Sequence, residues 1–357
     1  MTSDLPKTMV AVLLTGHGGF DKLEVRDDVP VPRAGPGEAL VRVTAAGVNN
    51  TDINTRVGWY SKSVTAATDD FEEDAGIEDG GWGGALAFPR IQGGDLCGRV
   101  VALGEGVESP PVGARVTCAT NQPIPTAERP TCFQAIGSEY DGAFAQYCVV
   151  PADQLFDVSA SPLSDEEIGV LPCAYGTALN LLSRSAVASG DRILVTGASG
   201  GVGMAAVTLA SLRGAEVTGI ASAAKQEAVR AAGAARVLDR DATPSAGDFT
   251  VVIDLVGGPG WPTVIEALAP GGRYAVSGAI AGPIVEADLR TLYLNDLTLY
   301  GCTYTPKTVF AELVDLINAG VVRPLIARRY PLAEIVQAQQ DFLEKSVPGK
   351  LVLIPPD

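Results

Sequence analysis

Histidine is nearly absent from this chain, and basic residues are scarce. The 357 residues include one histidine, His17, and 26 lysines and arginines against 42 aspartates and glutamates, for a formal charge of −16. Such a balance disfavours nucleic acid and anionic membrane surfaces, because both are bound through Lys and Arg. No apolar run reaches the ~18 residues that a membrane span needs. We therefore expect neither partner and interpret the acidity as a source of solubility.

Paired cysteines are also missing. None of the six cysteines forms a Cys-x-x-Cys motif, and their spacing is too irregular for the disulfide framework of a small secreted domain. The N-terminus shows no charged-then-apolar export signal. These absences lead us to expect reduced, mostly buried thiols in a cytoplasmic protein. The apolar content of 46% and the length are enough for two domains with separate cores.

The first 150 residues have the sequence pattern of a β-rich domain. Residues 39–43, 99–103 and 114–117 are short runs rich in apolar and β-branched residues, and Pro and Gly separate them. Two stretches break this rhythm: residues 61–90 are acidic and Gly-rich, and residues 119–140 are Pro-rich. We predict two long surface loops, either solvated insertions or, for the first, a lid over a substrate cleft.

From about residue 190, strand-like and helix-like segments alternate, which predicts a doubly wound parallel sheet with helices on both faces. The predicted strands cover residues 192–196, 216–220, 236–238, 250–254 and 273–277, and the predicted helices cover 201–213 and 223–232.

A glycine-rich turn connects the first of these strands to its helix. Small residues let the backbone approach a pyrophosphate, and the helix N-terminus offers free N–H groups to it. The first glycine of the usual G-x-G-x-x-G frame is Ala198 here, and an ordinary tight turn is the alternative interpretation. The residues predicted to bind a dinucleotide at this turn are Gly197, Ser199, Gly200, Gly201, Val202 and Gly203.

The residues at the end of the second strand indicate whether the dinucleotide is NAD(H) or NADP(H). NAD-binding proteins place Asp or Glu there to hold the ribose 2′-hydroxyl, whereas residues 220–225 contain no carboxylate. Ser222 and Lys225 can instead bind a 2′-phosphate, and Arg240 after the third strand can add charge. NADP(H) is therefore the predicted cofactor. The alternative is that Lys225 is an ordinary solvated helix residue.

Together these segments resemble the medium-chain dehydrogenase/reductase superfamily over essentially the whole chain. The resemblance is carried by residues 36–43 and 47–52, by 93–101 and 112–116, by the glycine turn, and by 349–353. It implies an α/β protein with a GroES-like, β-rich N-terminal domain and a Rossmann domain. The implied domains are 1–155 (catalytic), 156–303 (NADP-binding) and 304–357, a C-terminal return to the catalytic domain.

Zinc-dependent members of that superfamily hold the metal with Cys, His beside Glu, and Cys, leaving one position open for an alcohol oxygen. The corresponding positions here are Asn49, Gly94 beside Asp95, and Cys173, so only the last one matches. The closely spaced cysteines of the structural zinc lobe are missing as well. We expect His17 to be a surface residue, and we predict that the protein has no catalytic zinc.

Asn in place of the first cysteine resembles the quinone oxidoreductase branch, as does the Gly58-x-Tyr60 sequence. Without a metal, hydride delivery to an electrophilic quinone or α,β-unsaturated carbonyl is easier than alcohol oxidation. Asn49 and Tyr60 are the predicted catalytic residues, as hydrogen-bond or proton donors to the acceptor oxygen. The alternatives are that Asn49 satisfies buried backbone groups and that Tyr60 packs against Trp59 or the cofactor.

The resemblance implies further cofactor contacts, at Thr177, Gly278, Ala279, Cys302 and Thr303. It also implies a homodimer that pairs through the apolar edge segment 297–301. Two other functions stay open at this point: an NADPH-binding sensor or structural protein with little turnover, and an atypical metal-dependent alcohol dehydrogenase that uses Cys173 and Asp95. The sequence does not identify the acceptor.

Overall fold

Two parts of the chain, each with its own core, face each other across a cleft. The computed structural model describes residues 5–68 and 77–357. Two large apolar clusters form the cores: one lies in the N-terminal, β-rich part and the other around the parallel sheet of the second part. A third, smaller cluster packs on the outer side of that parallel sheet. The acidic residues 69–76 of the predicted lid lie outside the described residues.

Ten of the eighteen strands of the described chain lie in the N-terminal part. The strands are β1 (Thr8–Leu14), β2 (Leu23–Pro30), β3 (Glu38–Val48), β4 (Arg90–Ile91), β5 (Cys97–Leu103), β6 (Arg115–Cys118), β7 (Asn121–Pro123), β8 (Phe133–Ala135), β9 (Tyr147–Pro151), β10 (Leu155–Asp157), β11 (Arg192–Val195), β12 (Glu216–Ile220), β13 (Arg236–Leu238), β14 (Phe249–Asp254), β15 (Leu268–Val276), β16 (Thr298–Gly301), β17 (Ile326–Pro331) and β18 (Lys350–Ile354).

Helices connect the strands of the second part and flank the cleft. They are α1 (Asn50–Val57), α2 (Asp165–Ile168), α3 (Pro172–Arg184), α4 (Gly201–Leu212), α5 (Gln226–Ala231), α6 (Trp261–Glu266), α7 (Leu289–Leu294), α8 (Lys307–Asn318) and α9 (Ile335–Glu344).

The catalytic part is built around the long strand β3. This strand pairs antiparallel with β5, β9 and β18, and the sheet continues through β6 and β10 on one side and β17 on the other. A small sheet of β2, β1 and β4 covers it. The predicted segments 39–43, 99–103 and 114–117 fall within or overlap β3, β5 and β6, because short β-branched runs between turns favour strands wherever they can pair.

The second part is a six-stranded, fully parallel sheet with the order β13-β12-β11-β14-β15-β16. In the order of the strands along the chain this is 3-2-1-4-5-6, the Rossmann arrangement, which places the cofactor crevice beside β11. Each of the five predicted strands overlaps one observed strand. The predicted fold class, a β-rich domain plus a Rossmann sheet, is confirmed.

The C-terminal segment from residue 304 packs first on one part and then on the other. Helix α8 buries Phe310 and Leu313 in the same apolar cluster as α3 and the Rossmann helices. The strands that rejoin the catalytic sheet are β17 and β18, and β18 pairs with β3 through Leu351 opposite Val48. Residues 307–318 therefore pack with the cofactor part, and the return to the catalytic part follows them.

One of the two predicted surface loops is more ordered than expected. Within residues 119–140, β7 and β8 form a hairpin, and Gln122, Ala135 and Ile136 are buried. The hairpin is partly buried by contacts with other segments, among them the bond from Asn121 to the Thr303 carbonyl oxygen. Residues 61–68 and 77–89 of the other loop contain no helix or named strand among the residues described.

Candidate active site in the cleft between the two parts

A buried polar cluster occupies the base of the cleft. The Asn49 amide nitrogen (Nδ2) donates to Asp95 Oδ2 at 2.9 Å, and the Lys350 ammonium donates to Asn49 Oδ1. Lys350 Nζ also lies 3.4 Å from Asp95 Oδ2 and 3.4 Å from the carbonyl oxygen of Val48. Asp95 is fully buried and Lys350 is 5% exposed. The cluster is therefore an internal ion pair bridged by an amide side chain.

Cys173 adjoins this cluster through its backbone. Its N–H, in the first turn of α3, donates to Asp95 Oδ1 at 2.6 Å. The structure thus brings together Asn49 and Cys173, two of the positions that the resemblance aligned with zinc ligands, and Asp95, the neighbour of the second position, Gly94. All three are at least nine-tenths buried.

Strand pairing explains why these residues meet. Strand β3 ends at Val48, so that Asn49 becomes the N-cap of α1, and the Asp52 carboxylate accepts from the backbone N–H of Asn49 at 2.8 Å in a capping box. Because β18 lies beside β3 with Leu351 opposite Val48, Lys350 is placed directly over the start of α1. The stem of Lys350 continues to the glycine turn, where a Cβ on Gly201 would lie 3.1 Å from Lys350 Cδ.

Burial perturbs the acids and thiols of the cluster. The pKa of Asp52 is raised to about 7, mainly by burial and further by the Asp95 carboxylate, although the Asn49 N–H and Lys350 oppose the rise. Burial, with Asp95 second, raises the pKa of Cys173 to about 12. Cys173 is consequently a neutral thiol at physiological pH rather than a thiolate.

This residue set does not fit a catalytic zinc ion. Both Asp95 oxygens already accept hydrogen bonds, Cys173 is the one candidate sulfur ligand, and the Lys350 ammonium bonded to Asn49 and close to Asp95 opposes a dication there. In the described part of the chain no group of three His, Cys, Asp or Glu side chains could hold a metal. His17 lies at the other end of α1, where it is half-buried and its Nδ1 contacts the Thr55 carbonyl oxygen at 2.8 Å.

A narrow recess opens above the cluster. Cys173 and Thr177 of α3 form one wall, Asn121 and Thr305 another, and Phe310 and Trp82 complete it. Asn121 Nδ2 donates to the carbonyl oxygen of Thr303 at 2.8 Å, which ties the β7–β8 hairpin to the segment after β16. Thr177 therefore lines this recess, and Thr303 contacts Asn121 in its wall.

Tyr60 lies just beyond the C-terminal end of α1. Its pKa is raised well above the usual value by burial, with a smaller contribution from the charges of Cys173 and Asp52, while an interaction with Asn54 opposes the rise. The phenol is therefore protonated at any physiological pH and can donate a hydrogen bond. Asn49 differs, because its amide nitrogen and oxygen are both engaged by protein groups.

The glycine turn has the geometry that a dinucleotide requires. Gly197 has φ +57°, and a Cβ at Gly203 would lie 2.2 Å from the Gly197 carbonyl oxygen, so the turn tolerates no side chain there. Helix α4 begins at Gly201 with its free N–H groups toward the crevice. Gly278 and Ala279 follow β15 at the same carboxyl edge of the sheet, and Cys302 follows β16 and is buried.

A group of cations lies at the end of β12. Ser222 directly precedes the short helical turn that contains Lys225. The pKa of Lys225 is lowered, first by partial burial and then by the positive charges of Arg240 and Lys345. The Lys225 ammonium donates to the carbonyl oxygen of Lys345, at the C-terminal end of α9. The fold thus concentrates positive charge beside the crevice in a protein that is otherwise strongly acidic.

Sequence reasoning misses two functional candidates, Lys350 and Lys345. A lysine that opens an otherwise apolar strand is an ordinary surface pattern, so Lys350 carries no signal of a buried ion pair. Lys345 lies 120 residues from Lys225 along the chain. The only local indication of the buried ion pair is Asp95 beside Gly94. This indication is weak, because the sequence does not show that Lys350 is the partner of Asp95.

Comparison with known proteins agrees with this architecture. Residues 35–160 match the alcohol dehydrogenase GroES-like domain, and residues 201–319 match the zinc-binding dehydrogenase family. A putative alcohol dehydrogenase from Sinorhizobium meliloti 1021 is 40% identical and superposes with a TM-score of 0.87, covering 99% of this chain and 98% of that one.

Two curated relatives are more distant. An acryloyl-coenzyme A reductase from Metallosphaera sedula is 28% identical over 97% of this chain and 99% of its own length. A quinone oxidoreductase from Rattus norvegicus is 27% identical over 98% of each chain.

The two-part fold, the glycine turn and these matches define an oxidoreductase. The chain belongs to the medium-chain dehydrogenase/reductase superfamily, of the zinc-type alcohol dehydrogenase-like kind. As for a membrane, none of the helices in residues 5–68 and 77–357 is long and apolar enough to span one.

Proposed function

We propose that this chain is an NADPH-dependent reductase that transfers hydride to a quinone or an α,β-unsaturated carbonyl without catalytic zinc. The observation that carries the proposal is the Lys350 ammonium bound to Asn49 and Asp95, at and beside the positions that the resemblance aligns with zinc ligands. A fixed internal cation neutralises Asp95 and repels a dication by Coulomb's law. Reduction of an acceptor that is already electrophilic needs no metal to acidify a hydroxyl.

NADPH is favoured over NADH by the charge at the end of β12. A 2′-phosphate placed against Ser222 would lie among the positive charges of Lys225, Arg240 and Lys345. Its negative charge would offset the repulsion among these three cations. Residues 220–225 offer no carboxylate to bind a free 2′-hydroxyl. The glycine turn at 197–203 would hold the pyrophosphate against the N-terminus of α4.

NADPH, when bound, supplies the hydride. As two electrons and one hydrogen reach the β-carbon of an enone, its π electrons move to the carbonyl oxygen, which becomes negatively charged. The protonated Tyr60 hydroxyl is the proposed donor to that oxygen, either as a hydrogen bond or as the proton that completes reduction, with solvent restoring it. Thr177, in the wall of the recess, can orient the acceptor.

Asn49 acts indirectly in this scheme. Since its amide is bonded to Asp95 and Lys350, it positions the internal cation rather than contacting the acceptor. The ammonium, as the positive end of its pair with Asp95, can then stabilise negative charge that develops on the acceptor. The alternative interpretation, that Asn49 satisfies buried groups, is compatible with this role.

The first experiment follows NADPH and NADH oxidation against a panel of quinones and enones, with and without a chelator, together with metal analysis of the purified protein. We expect turnover that is faster with NADPH than with NADH and that is unaffected by the chelator. We also expect the purified protein to contain less than one metal ion per chain. Loss of activity on chelation, with stoichiometric metal, would support the atypical alcohol dehydrogenase instead. Tight NADPH binding without any turnover would support the sensor.

We also propose a homodimer formed through the free edge of β16. Beside this edge strand, α7 exposes Leu289, Tyr293 and Leu294 to more than 60% each, and Leu299 of β16 is 42% exposed. Apolar side chains clustered beside an unpaired strand edge favour pairing with a second copy across a two-fold axis. Light scattering after gel filtration should give a dimer for the wild type and a monomer for L294E. The control L212E, at an exposed position on α4, should stay dimeric.

A further inference from the structure

Trp82, in the insertion between α1 and β4, lines the recess beside Cys173 and Thr177. It is partly exposed, so part of its indole remains accessible beside the recess. No other tryptophan borders the recess in the described ranges. The insertion therefore contributes a large aromatic surface at the place where the acceptor must lie.

Neighbouring rings fix the orientation of this indole. It lies parallel to the Tyr60 ring, with an interplanar angle of 8° and centroids 6.0 Å apart, and Phe133 of β8 meets it at 70° and 6.0 Å. Trp59 in turn holds Tyr60 in an edge contact at 5.7 Å. Such edge-and-face contacts restrict ring rotation, so the plane of Trp82 is set before any ligand arrives.

The backbone of the insertion is anchored on both sides of Trp82. Gly80 packs so closely on Gly58 that a Cβ would lie 2.3 Å from Gly58 Cα, and the Gly83 N–H donates to Glu139 Oε1 at 3.0 Å. Farther back, the Thr68 N–H donates to the carbonyl oxygen of Ile280 in the cofactor part at 3.0 Å. The insertion is thus tied to both parts of the protein around the cleft.

The charge around this surface is negative. Among the described residues no Lys or Arg lines the recess, whereas Glu78 and Asp79 are exposed a few residues before Trp82, and Glu139 lies beside Gly83. A coenzyme A thioester carries several negative charges on its phosphates, which such a cleft mouth would repel. An uncharged ring system meets no such penalty.

We propose that Trp82 selects uncharged, planar aromatic acceptors, such as aryl enones and naphthoquinones, over aliphatic enones and acyl-coenzyme A thioesters. This inference rests on the proposed function. The acceptor ring packs against the accessible part of the indole, at the border of the Tyr60–Trp82 pair, where the Tyr60 hydroxyl can donate to the acceptor oxygen. Trp82 is then a specificity-determining residue that belongs to the insertion.

The kinetic test compares 4-phenyl-3-buten-2-one with 3-penten-2-one and acryloyl-coenzyme A in the wild type, W82A and W82F. For the aryl enone, W82A should lose about 3- to 10-fold in kcat/KM, and W82F should recover most of it, since an aromatic contact contributes that much. The aliphatic enone should change by less than about 2-fold in both variants. The control W261F, in the core of the cofactor part, should behave like the wild type.

A binding test separates this inference from the proposed function. The affinities of 4-phenylbutan-2-one and 2-pentanone, which cannot be reduced at a C=C bond, are measured by calorimetry on the NADP⁺-loaded protein. The inference is supported if the wild type binds the phenyl compound more tightly than 2-pentanone and W82A does not. That holds even if no acceptor is turned over, because absence of turnover would contradict only the proposed function. Equal affinities in wild type and W82A, or a wild-type preference for acryloyl-coenzyme A, overturn the inference.

Discussion

Replacing Lys350 with methionine should destabilise the protein by about 3 to 5 kcal/mol, because the substitution leaves the Asp95 carboxylate buried without its cation. The Lys350 ammonium lies 3.4 Å from Asp95 Oδ2, and Asp95 is fully buried. At that distance and an effective dielectric constant of about 20, the attraction is about 5 kcal/mol. Methionine refills most of the space of the aliphatic stem, so little of the loss comes from a cavity.

The assay is a double-mutant cycle with K350M, D95N and the double variant, followed by denaturant unfolding and thermal melting. K350M should lower Tm by about 4 to 7 °C. The double variant should recover much of this, because the amide introduced by D95N is uncharged and needs no cation, while its oxygen can still accept from the Cys173 N–H. The coupling energy should therefore reach about 2 to 4 kcal/mol.

A matched control removes an exposed lysine. Lys307 pairs with Asp153 at 3.5 Å, and their side chains are 46% and 70% exposed, so K307M should change stability by less than about 0.5 kcal/mol. If K350M melted like the wild type, or the coupling energy were near zero, the ion pair would not hold the cluster together. The proposed replacement of the metal by an internal cation would then lose its basis.

Three more perturbations probe the acids, cations and thiols of the protein. The raised pKa of Asp52, about 7, means that the folded state keeps a proton which the unfolded chain releases above pH ~4. The contribution of Asp52 to stability should therefore decline as pH rises from about 4 to 7, by at most about 4 kcal/mol, and the difference in unfolding free energy between D52N and wild type should trace that decline. Replacing Lys225 with alanine should raise the KM for NADPH by about 10-fold or more and leave that for NADH nearly unchanged, because only the 2′-phosphate meets the ammonium; a similar rise for both cofactors in steady-state kinetics would contradict this. Iodoacetamide at pH 8 should label Cys132, the one cysteine that is not buried, and spare Cys173, whose pKa is raised to about 12; mass spectrometry showing early modification of Cys173 would place a thiolate in the cluster.

Much of the Rossmann part follows from local sequence. The strands β11 and β14 are short apolar runs that are buried on both faces, and such runs between helix-like segments leave a parallel sheet as the only packing solution. The glycine turn is equally local, because the close contact between Gly203 and Gly197 spans only six residues. The missing carboxylate after β12 is a property of the sequence alone.

Packing between distant segments decided the rest. The Pro content of residues 119–140 disfavours strands and predicts an irregular loop, yet the hairpin is buried by contacts that lie outside the segment. The position of Trp82 over the recess likewise depends on Tyr60 and Phe133, which come from two other parts of the chain. Local propensity carries no information on such contacts.

The sequence by itself determined that Asn49 and Gly94 stand at two of the three positions that the resemblance aligns with zinc ligands, where Cys and His are expected. Only the tertiary structure decided what takes their place. Lys350 is 301 residues from Asn49 and 255 from Asp95, and it meets them because β18 pairs with β3 and Leu351 lies opposite Val48. A buried charge is stable only beside its counter-charge, and that partner is set by strand pairing across the whole chain rather than by any neighbouring residue.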